Sequence, residues 1–289
     1  MNWYNENLQY TISAHTSENI PYKGVDSNIP YNLPTAIIGA KGTGKSTMIT
    51  VMLKAFGDMF KYIIYIYSEH VDTTLSQLYH GKLLRIPMSQ SAAFLQKYLS
   101  LKTEFMSWCK LFQAGYDKEH DNKTLVKLYC DNVIDAYVRD HPSVSLWSTA
   151  LEYLKVHMEP FKITINDTTY LLDGFDENQH DMMIIDDIGV ANDLFPARAN
   201  MSPLYKYITI SRHVLLCSVF AGQDIMQLPR YMRKEINTWI FGYGIDINDI
   251  TETNIPSKKA KEIVQKYNEV EPYTFIGYNG VNNNVFEID

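Results

Sequence analysis

The sequence is short of cysteine, of long apolar runs and of positive charge, and each shortage removes a class of protein. Three cysteines, Cys109, Cys130 and Cys217, lie far apart in 289 residues and form no C-x-x-C pair. They read as buried thiols in a reducing compartment, since neither a disulfide frame nor a cysteine zinc site can be built from them. The longest apolar candidates, 62–67 and 214–222, have the length of buried strands and fall well short of a membrane span. The start, MNWYNENLQY, lacks a basic region followed by an apolar core, so no secretory leader is expected. Net charge is −7, which lends no bulk electrostatic support to nucleic-acid binding and argues weakly against it. Two short basic clusters, RYMRKE at 230–235 and SKKAKE at 257–262, have the composition of solvated helix faces.

What is present is a chain with 46% hydrophobic residues, enough for one elaborated α/β domain or two small ones. Five short apolar runs read as strands: the segment ending Thr35-Ala-Ile-Ile38, KYIIYIYS at 61–68, DMMIIDDIG at 181–189, HVLLCSVFAGQ at 213–223 and NTWIFGYGI at 237–245. Interleaved with helical stretches, they predict a parallel central sheet with helices on both faces. Residues 1–34 are polar and Pro-punctuated and read as an N-terminal arm. Residues 35–250 form the main domain, with a helical insertion at about 89–160, and 251–289 add a helix and a hairpin.

Within the insertion, Phe94, Tyr98, Leu101, Phe105, Trp108 and Phe112 recur at helical spacing and predict one buried stripe. Leu125, Tyr129, Val133 and Tyr137 continue it, as do Trp147, Ala150, Leu151 and Leu154 after Pro142. FKITINDTTYLLDG predicts a strand pair turned at Asn166-Asp167, and Asn279-Gly280 predicts the turn of the C-terminal hairpin.

The chemistry starts at IIGAKGTGKSTMIT, 37–50. It matches G-x-x-x-x-G-K-[ST] at Gly39, Gly44, Lys45 and Ser46, between a strand and a helix. Glycines let backbone N–H groups crowd around phosphate oxygens, and the helix start turns its positive end to the same anion. Residues Gly39, Ala40, Lys41, Gly42, Thr43, Gly44, Lys45, Ser46 and Thr47 are therefore the nucleotide-binding set. Lys45 is expected at the β- and γ-phosphates and Ser46 at Mg²⁺.

Four apolar residues, Met182 to Ile185, then deliver Asp186 to the carboxyl end of a strand, where open α/β sheets bind ligands. Asp186 is the expected second Mg²⁺ ligand. Asp187 follows where it can orient or deprotonate an attacking water. Gln223 ends another strand with a side chain that offers both a donor and an acceptor to water and phosphate. Arg212 lies at the other end of that strand, where it cannot easily serve its own nucleotide but could reach a neighbour's as an arginine finger in trans.

The blocks GAKGTGKS, MMIIDDIG, SRHVLLCSVFAGQ and LPRYMRKEIN resemble the poxvirus-type genome-packaging ATPases of large DNA viruses, a branch of the FtsK/HerA superfamily of P-loop motors. The resemblance spans roughly 33–245 and is specific at those blocks. It implies a RecA-like core, with a polar sensor strand between the loop strand and the acid-ended Walker B strand. It further implies ATP and Mg²⁺ as cofactors and a homo-oligomeric ring, pentamer or hexamer, on double-stranded DNA. Capsid or portal-vertex proteins are the implied further partners, in the host cytoplasm, a viral factory or the virion. By position, Lys45 and Ser46 match the phosphate and Mg²⁺ ligands, Asp186 the Walker B carboxylate, Gln223 the sensor and Arg212 the finger, with Arg230 or Arg233 in reserve. Asp187 falls where many members have Glu, one methylene longer. The basic residues of such a motor can be confined to a pore surface, which reconciles DNA binding with the negative net charge.

Three other readings share the loop: a helicase or other DNA-directed ATPase, a nucleotide-gated capsid assembly factor, and a small-molecule kinase. Against the kinase, there is no recognisable basic lid, and paired acids favour activating water over binding an acceptor.

Overall fold

The computed structural model describes residues 33–68, 82–116, 146–196, 198–269 and 273–288. Residues 1–32 of the expected arm, the stripe at 125–137 and Cys130 lie outside the described residues, as do the side chains of Phe112, Trp147, Ala150, Leu151 and Arg212.

The chain divides into two compact units, residues 1–91 with 180–289, and residues 92–179. The first is built on an eight-stranded sheet. Its strands are β1 (Thr35–Ile38), β2 (Phe60–Tyr67), β3 (Leu83–Pro87), β6 (His180–Ile185), β7 (Leu216–Gly222), β8 (Thr238–Phe241), β9 (Phe275–Asn279) and β10 (Asn284–Ile288). They lie in the order β10-β9-β8-β1-β7-β6-β2-β3. The run from β8 to β3 is parallel, and β9 and β10 extend it antiparallel, giving a mixed, mostly parallel sheet. This is an α/β, RecA-like arrangement in which β7 separates the loop strand β1 from the acid-ended strand β6.

Helix α1 (Lys45–Phe56) covers one face of the sheet. Its Met48, Met52, Leu53 and Phe56 pack with Ile37, Ile63, Tyr65, Met182, Ile184, Cys217, Val219 and Ile240, the alternate residues of five adjacent strands. The intervening residues Ala36, Ile64, Met183, Phe220 and Trp239 are equally buried on the other face. That two-sided burial explains why these strands are continuous apolar runs without polar alternation. Each large side chain so buried contributes about 1.5–3 kcal/mol relative to exposure.

Several boundaries differ from the sequence reading for local reasons. β7 starts at Leu216 and not at 213, because Ser211–His213 form a 3-10 turn and Leu215 takes a left-handed φ of 53°. β3 escaped the sequence reading altogether: Arg85 and Pro87 interrupt its apolar pattern, which an edge strand tolerates. The C-terminal hairpin forms, but its connection is the four residues 280–283, so Asn279-Gly280 only opens the turn. Asn279 Oδ1 accepts the Val281 amide at 2.8 Å, and Asn283 takes a φ of 56°. Two short helices, α4 (Tyr205–Thr209) and α5 (Arg230–Arg233), precede and follow β7, and between β8 and β9 lies α6 (Ser257–Tyr267), which turns Ala260 and Ile263 inward and Lys258 and Lys261 outward.

The second unit holds most of α2 (Met88–Tyr116), then α3 (Leu146–Met158) and the hairpin of β4 (Phe161–Ile165) and β5 (Thr168–Leu172). That hairpin turns at Asn166-Asp167, as the sequence indicates, with Asn166 at φ 50°. Phe94, Tyr98, Phe105 and Trp108 of the expected stripe are buried, whereas Leu101 is only half-buried. Phe175 is the common partner: its ring meets those of Tyr98, Phe105 and Phe161 at centroid distances of 5.6, 5.4 and 5.0 Å. The stripe is therefore an aromatic core.

Candidate active site

The loop between β1 and α1 owes its shape to two glycines in left-handed backbone, Gly42 at φ 82° and Gly44 at φ 92°. Gly44 is also the N-cap of α1, with no side-chain cap and no acidic residue in the first helical turn. An uncapped helix start, with no acidic side chain in its own first turn, has the properties of an anion site. Ser46 and Thr47 are exposed in that first turn.

The loop is braced from beneath. Thr43, buried, donates its hydroxyl to the Ala40 carbonyl at 2.9 Å. A Cβ on Gly39 would come within 2.7 Å of that same hydroxyl and 3.2 Å of Gly242 Cα, so only glycine fits this contact. The ladder continues past the strand ends, with the Gly39 amide donating to Gly222 O at 3.1 Å and the Gly242 amide to Ile38 O at 2.7 Å.

Lys45 donates its ammonium to the carbonyls of Gly39 and Ala40, at 2.7 and 2.9 Å. Burial lowers its pKa below the ordinary lysine value, while the nearby charges of Asp186 and Asp187 act in the opposite direction. The loop cation and the acid pair, 141 residues apart at Lys45 and Asp186, thus share one electrostatic environment.

Asp186 leaves the carboxyl end of β6 half-buried, its amide held by Ile66 O at 3.0 Å and its Oδ2 accepting the Tyr65 hydroxyl at 2.6 Å. Its direction follows from strand parity, since Ile184, two residues earlier, packs on the α1 face. Asp187 is in left-handed backbone, φ 62° and ψ 64°, as the N-cap of a 3-10 turn at Ile188–Val190. A non-glycine residue held there is uncommon, and the turn fixes its backbone at the end of β6.

Gln223 follows the last residue of β7 and is exposed. The register pairs Ile38 with both Gly222 and Phe241, so Gly39, Gln223 and Gly242 emerge side by side. Arg212 is placed by its backbone in the 3-10 turn at the amino end of β7, the far end from Gln223. Of the reserve positions, Arg230 is exposed, but Arg233 is buried, donating to the Glu252 carbonyl at 3.1 Å and lying 3.6 Å from that residue's carboxylate. Arg233 is committed to its own chain and is not a free finger.

No family model and no curated protein matches the chain. Solved structures similar to it include the genome packaging NTPase B204 from Sulfolobus turreted icosahedral virus 2, solved with ATP-gammaS. The identity is 16%, the coverage 90% of this chain and 98% of that one, and the TM-score 0.47. EssC (ATPases 2 and 3) from Geobacillus thermodenitrificans matches at 15% identity over 89% of this chain and 39% of that one, with TM-score 0.49. The pCW3 conjugation coupling protein TcpA matches at 12% over 90% and 60%, with TM-score 0.46.

Two residues of the site were not singled out from the sequence. Tyr65 lies in a buried strand, and a buried tyrosine ordinarily finds a partner for its hydroxyl, which was the available signal. Gln227 closes a capping box with Asp224, a D-x-x-Q pattern readable in the sequence. Its Oε1 accepts the Gln223 amide at 2.9 Å, and a Cβ on Gly189 would lie 2.5 Å from its Nε2. Gln227 therefore ties the end of β7 to the turn that carries Asp187.

Among the described residues no group of three or more His, Cys, Asp or Glu is placed to hold a metal. Mg²⁺ bound with a nucleotide needs none, because one or two carboxylates and the phosphates supply its hard oxygen ligands. The hydroxyl of Ser46 and the carboxylate of Asp186 fit that donor chemistry. Among the described residues no helix is long and apolar enough to cross a membrane.

Proposed function

We propose that this chain is a Mg²⁺-dependent ATPase that drives double-stranded viral DNA into preformed capsids, working as a ring of subunits. The observation that supports it best is the proximity of the Lys45 charge to those of Asp186 and Asp187, across a sheet whose intervening strand β7 is followed directly by Gln223. A loop that holds a triphosphate beside two acids and an amide is equipped for hydrolysis. Mg²⁺, held by Ser46 and Asp186, would neutralise charge on the β- and γ-phosphates.

The protein's own groups do the rest. The loop amides and the start of α1 bind the phosphates, and Lys45 moves from carbonyl acceptors to phosphate oxygens. Asp187, fixed by its backbone, orients the attacking water and accepts its proton, and Gln223 lines that water up with the phosphate. Arg212 serves the site of the adjacent subunit, stabilising the negative charge that develops in transfer. The four sequence blocks carry the reading from hydrolysis to packaging.

The test is ATP turnover on size-fractionated protein with and without linear double-stranded DNA. The expected result is phosphate release that rises with DNA and is confined to an oligomeric fraction. A flat response favours a capsid assembly factor, strand separation a helicase, and a phosphorylated acceptor a kinase. A monomer under every nucleotide condition overturns the motor.

A further inference from the structure

We infer that Tyr243 is the platform on which the base of the bound nucleotide stacks. The inference rests on the triphosphate reading of the loop at 39–47 and adds the other end of the ligand.

The direction of the ligand follows from strand order. β1, which launches the loop, has β7 on one side and β8 on the other, with β6 beyond β7. Gln223, Asp186 and Asp187 all belong to the β7 and β6 side. A nucleotide whose terminal phosphate faces those groups extends its nucleoside toward the opposite flank, the end of β8. The segment there is Gly242-Tyr243-Gly244.

That segment is fastened to the loop. The Ala40 amide donates to Tyr243 O at 3.0 Å, and a Cβ on Gly244 would lie 2.6 Å from Ala40 Cβ, while one on Gly242 would lie 2.7 Å from the Phe275 ring and 3.3 Å from the Thr43 hydroxyl. On the other side, Tyr267 of α6 donates its hydroxyl to Gly242 O at 3.0 Å and accepts the Ile245 amide at 3.1 Å. Backbone held at both sides presents one side chain, and Tyr243 is 62% exposed. Among the described residues its ring stacks on no other ring, unlike the buried Trp239 and Phe241 just before it, which stack on each other at 5.9 Å.

An exposed aromatic ring on backbone hydrogen-bonded to the phosphate loop has the chemistry of a base platform. Stacking requires only a π face, and the fixed backbone keeps the ordering cost low. It also tolerates different bases, so the ligand class is a nucleoside triphosphate with no strict base requirement from this residue.

The experiment measures equilibrium binding of ATP and of inorganic tripolyphosphate to the full chain, in wild type, Tyr243→Ala and Tyr243→Trp. The expected result is that Tyr243→Ala weakens ATP binding by about tenfold or more and leaves tripolyphosphate affinity unchanged. Tyr243→Trp should keep ATP affinity, with its indole emission quenched by ATP and not by tripolyphosphate. Unchanged ATP affinity in Tyr243→Ala together with an unmoved indole signal overturns the platform while leaving the phosphate site intact. Equal loss of both ligands also overturns it, since the residue then acts only by shaping the loop. Wild type that binds neither ligand overturns the triphosphate reading itself.

Discussion

The phenol of Tyr65, in the strand next to β6, donates a 2.6 Å hydrogen bond to Oδ2 of Asp186. The ring is 2% exposed and packs on the α1 face of the sheet, so it is fixed by the core and fixes the carboxylate in turn. With Oδ2 engaged, Oδ1 is the oxygen left to serve the proposed Mg²⁺. Partners of this kind set ligand orientation, and their loss typically costs about 10–100-fold in metal affinity. Tyr65→Phe removes only the hydroxyl. We expect Mg²⁺-dependent ATP affinity to fall about tenfold while affinity in EDTA stays at the wild-type value. Equal affinity in both conditions for the variant and wild type would show that Tyr65 has only a packing role.

Gln227 and Gly189 make a second coupled pair. Gln227 is anchored by the backbone amides of Gln223 and Asp224, at 2.9 and 3.4 Å, so a methyl group on Gly189, 2.5 Å from its Nε2, would displace a side chain held by two hydrogen bonds. Gly189→Ala should destabilise the fold by about 1–2 kcal/mol, as overpacking does. Gln227→Ala should cost about 1 kcal/mol through the lost cap. The double variant should be more stable than the sum of the two losses, because the clash and its cause are removed together. Chemical denaturation of the four proteins measures the coupling, and strict additivity refutes it.

How much of this was legible in the sequence depended on sequence distance and on strand position. The loop at 39–47 and the acid-ended strand were legible because each is a local pattern, apolar residues followed by a fixed polar signature. The order that puts β7 between them followed from the resemblance of four blocks and not from any periodicity. Tyr65 and Asp186 are 121 residues apart, and no local signal links them. The cluster RYMRKE shows the opposite failure. Its composition reads as a solvated helix face, yet α5 (Arg230–Arg233) buries Met232 and Arg233 while Arg230 stays exposed. SKKAKE did follow composition, because α6 has a single apolar face to bury.

Arg233 and Arg212 should therefore respond differently to removal. Arg233→Ala deletes a buried guanidinium that bonds to Glu252 O and lies 3.6 Å from its carboxylate, leaving that pocket unfilled. A loss of about 1–3 kcal/mol is expected, read as a lower thermal midpoint. Arg212→Ala should leave the midpoint and nucleotide binding unchanged and reduce hydrolysis by about 10³-fold or more. Mixing Arg212→Ala with Lys45→Ala subunits should restore part of the turnover, since an intact loop can then meet an intact finger. No recovery in such mixtures argues against action in trans.

The cysteines and several tyrosines make a prediction about alkaline stability. Burial pushes the Cys109 thiol up from 9.0 to about 12, with Glu177 adding to the effect, and burial raises Cys217 as well. Tyr153, Tyr231, Tyr267 and Tyr278 are raised in the same sense, again chiefly by burial. Each of these groups binds its proton more tightly when folded than when unfolded. The native preference is complete below the unfolded value and is lost as pH rises through the folded one, so stability should decline from about pH 9 upward. The same burial predicts chemistry at pH 8. With a pKa near 12 the thiolate fraction of Cys109 is on the order of 10⁻⁴, so iodoacetamide should leave Cys109 and Cys217 unmodified in the native protein and alkylate both in guanidinium. Peptide mapping after a timed pulse reads both sites, and rapid native labelling at Cys217 would show that β7 opens far more easily than its complete burial indicates.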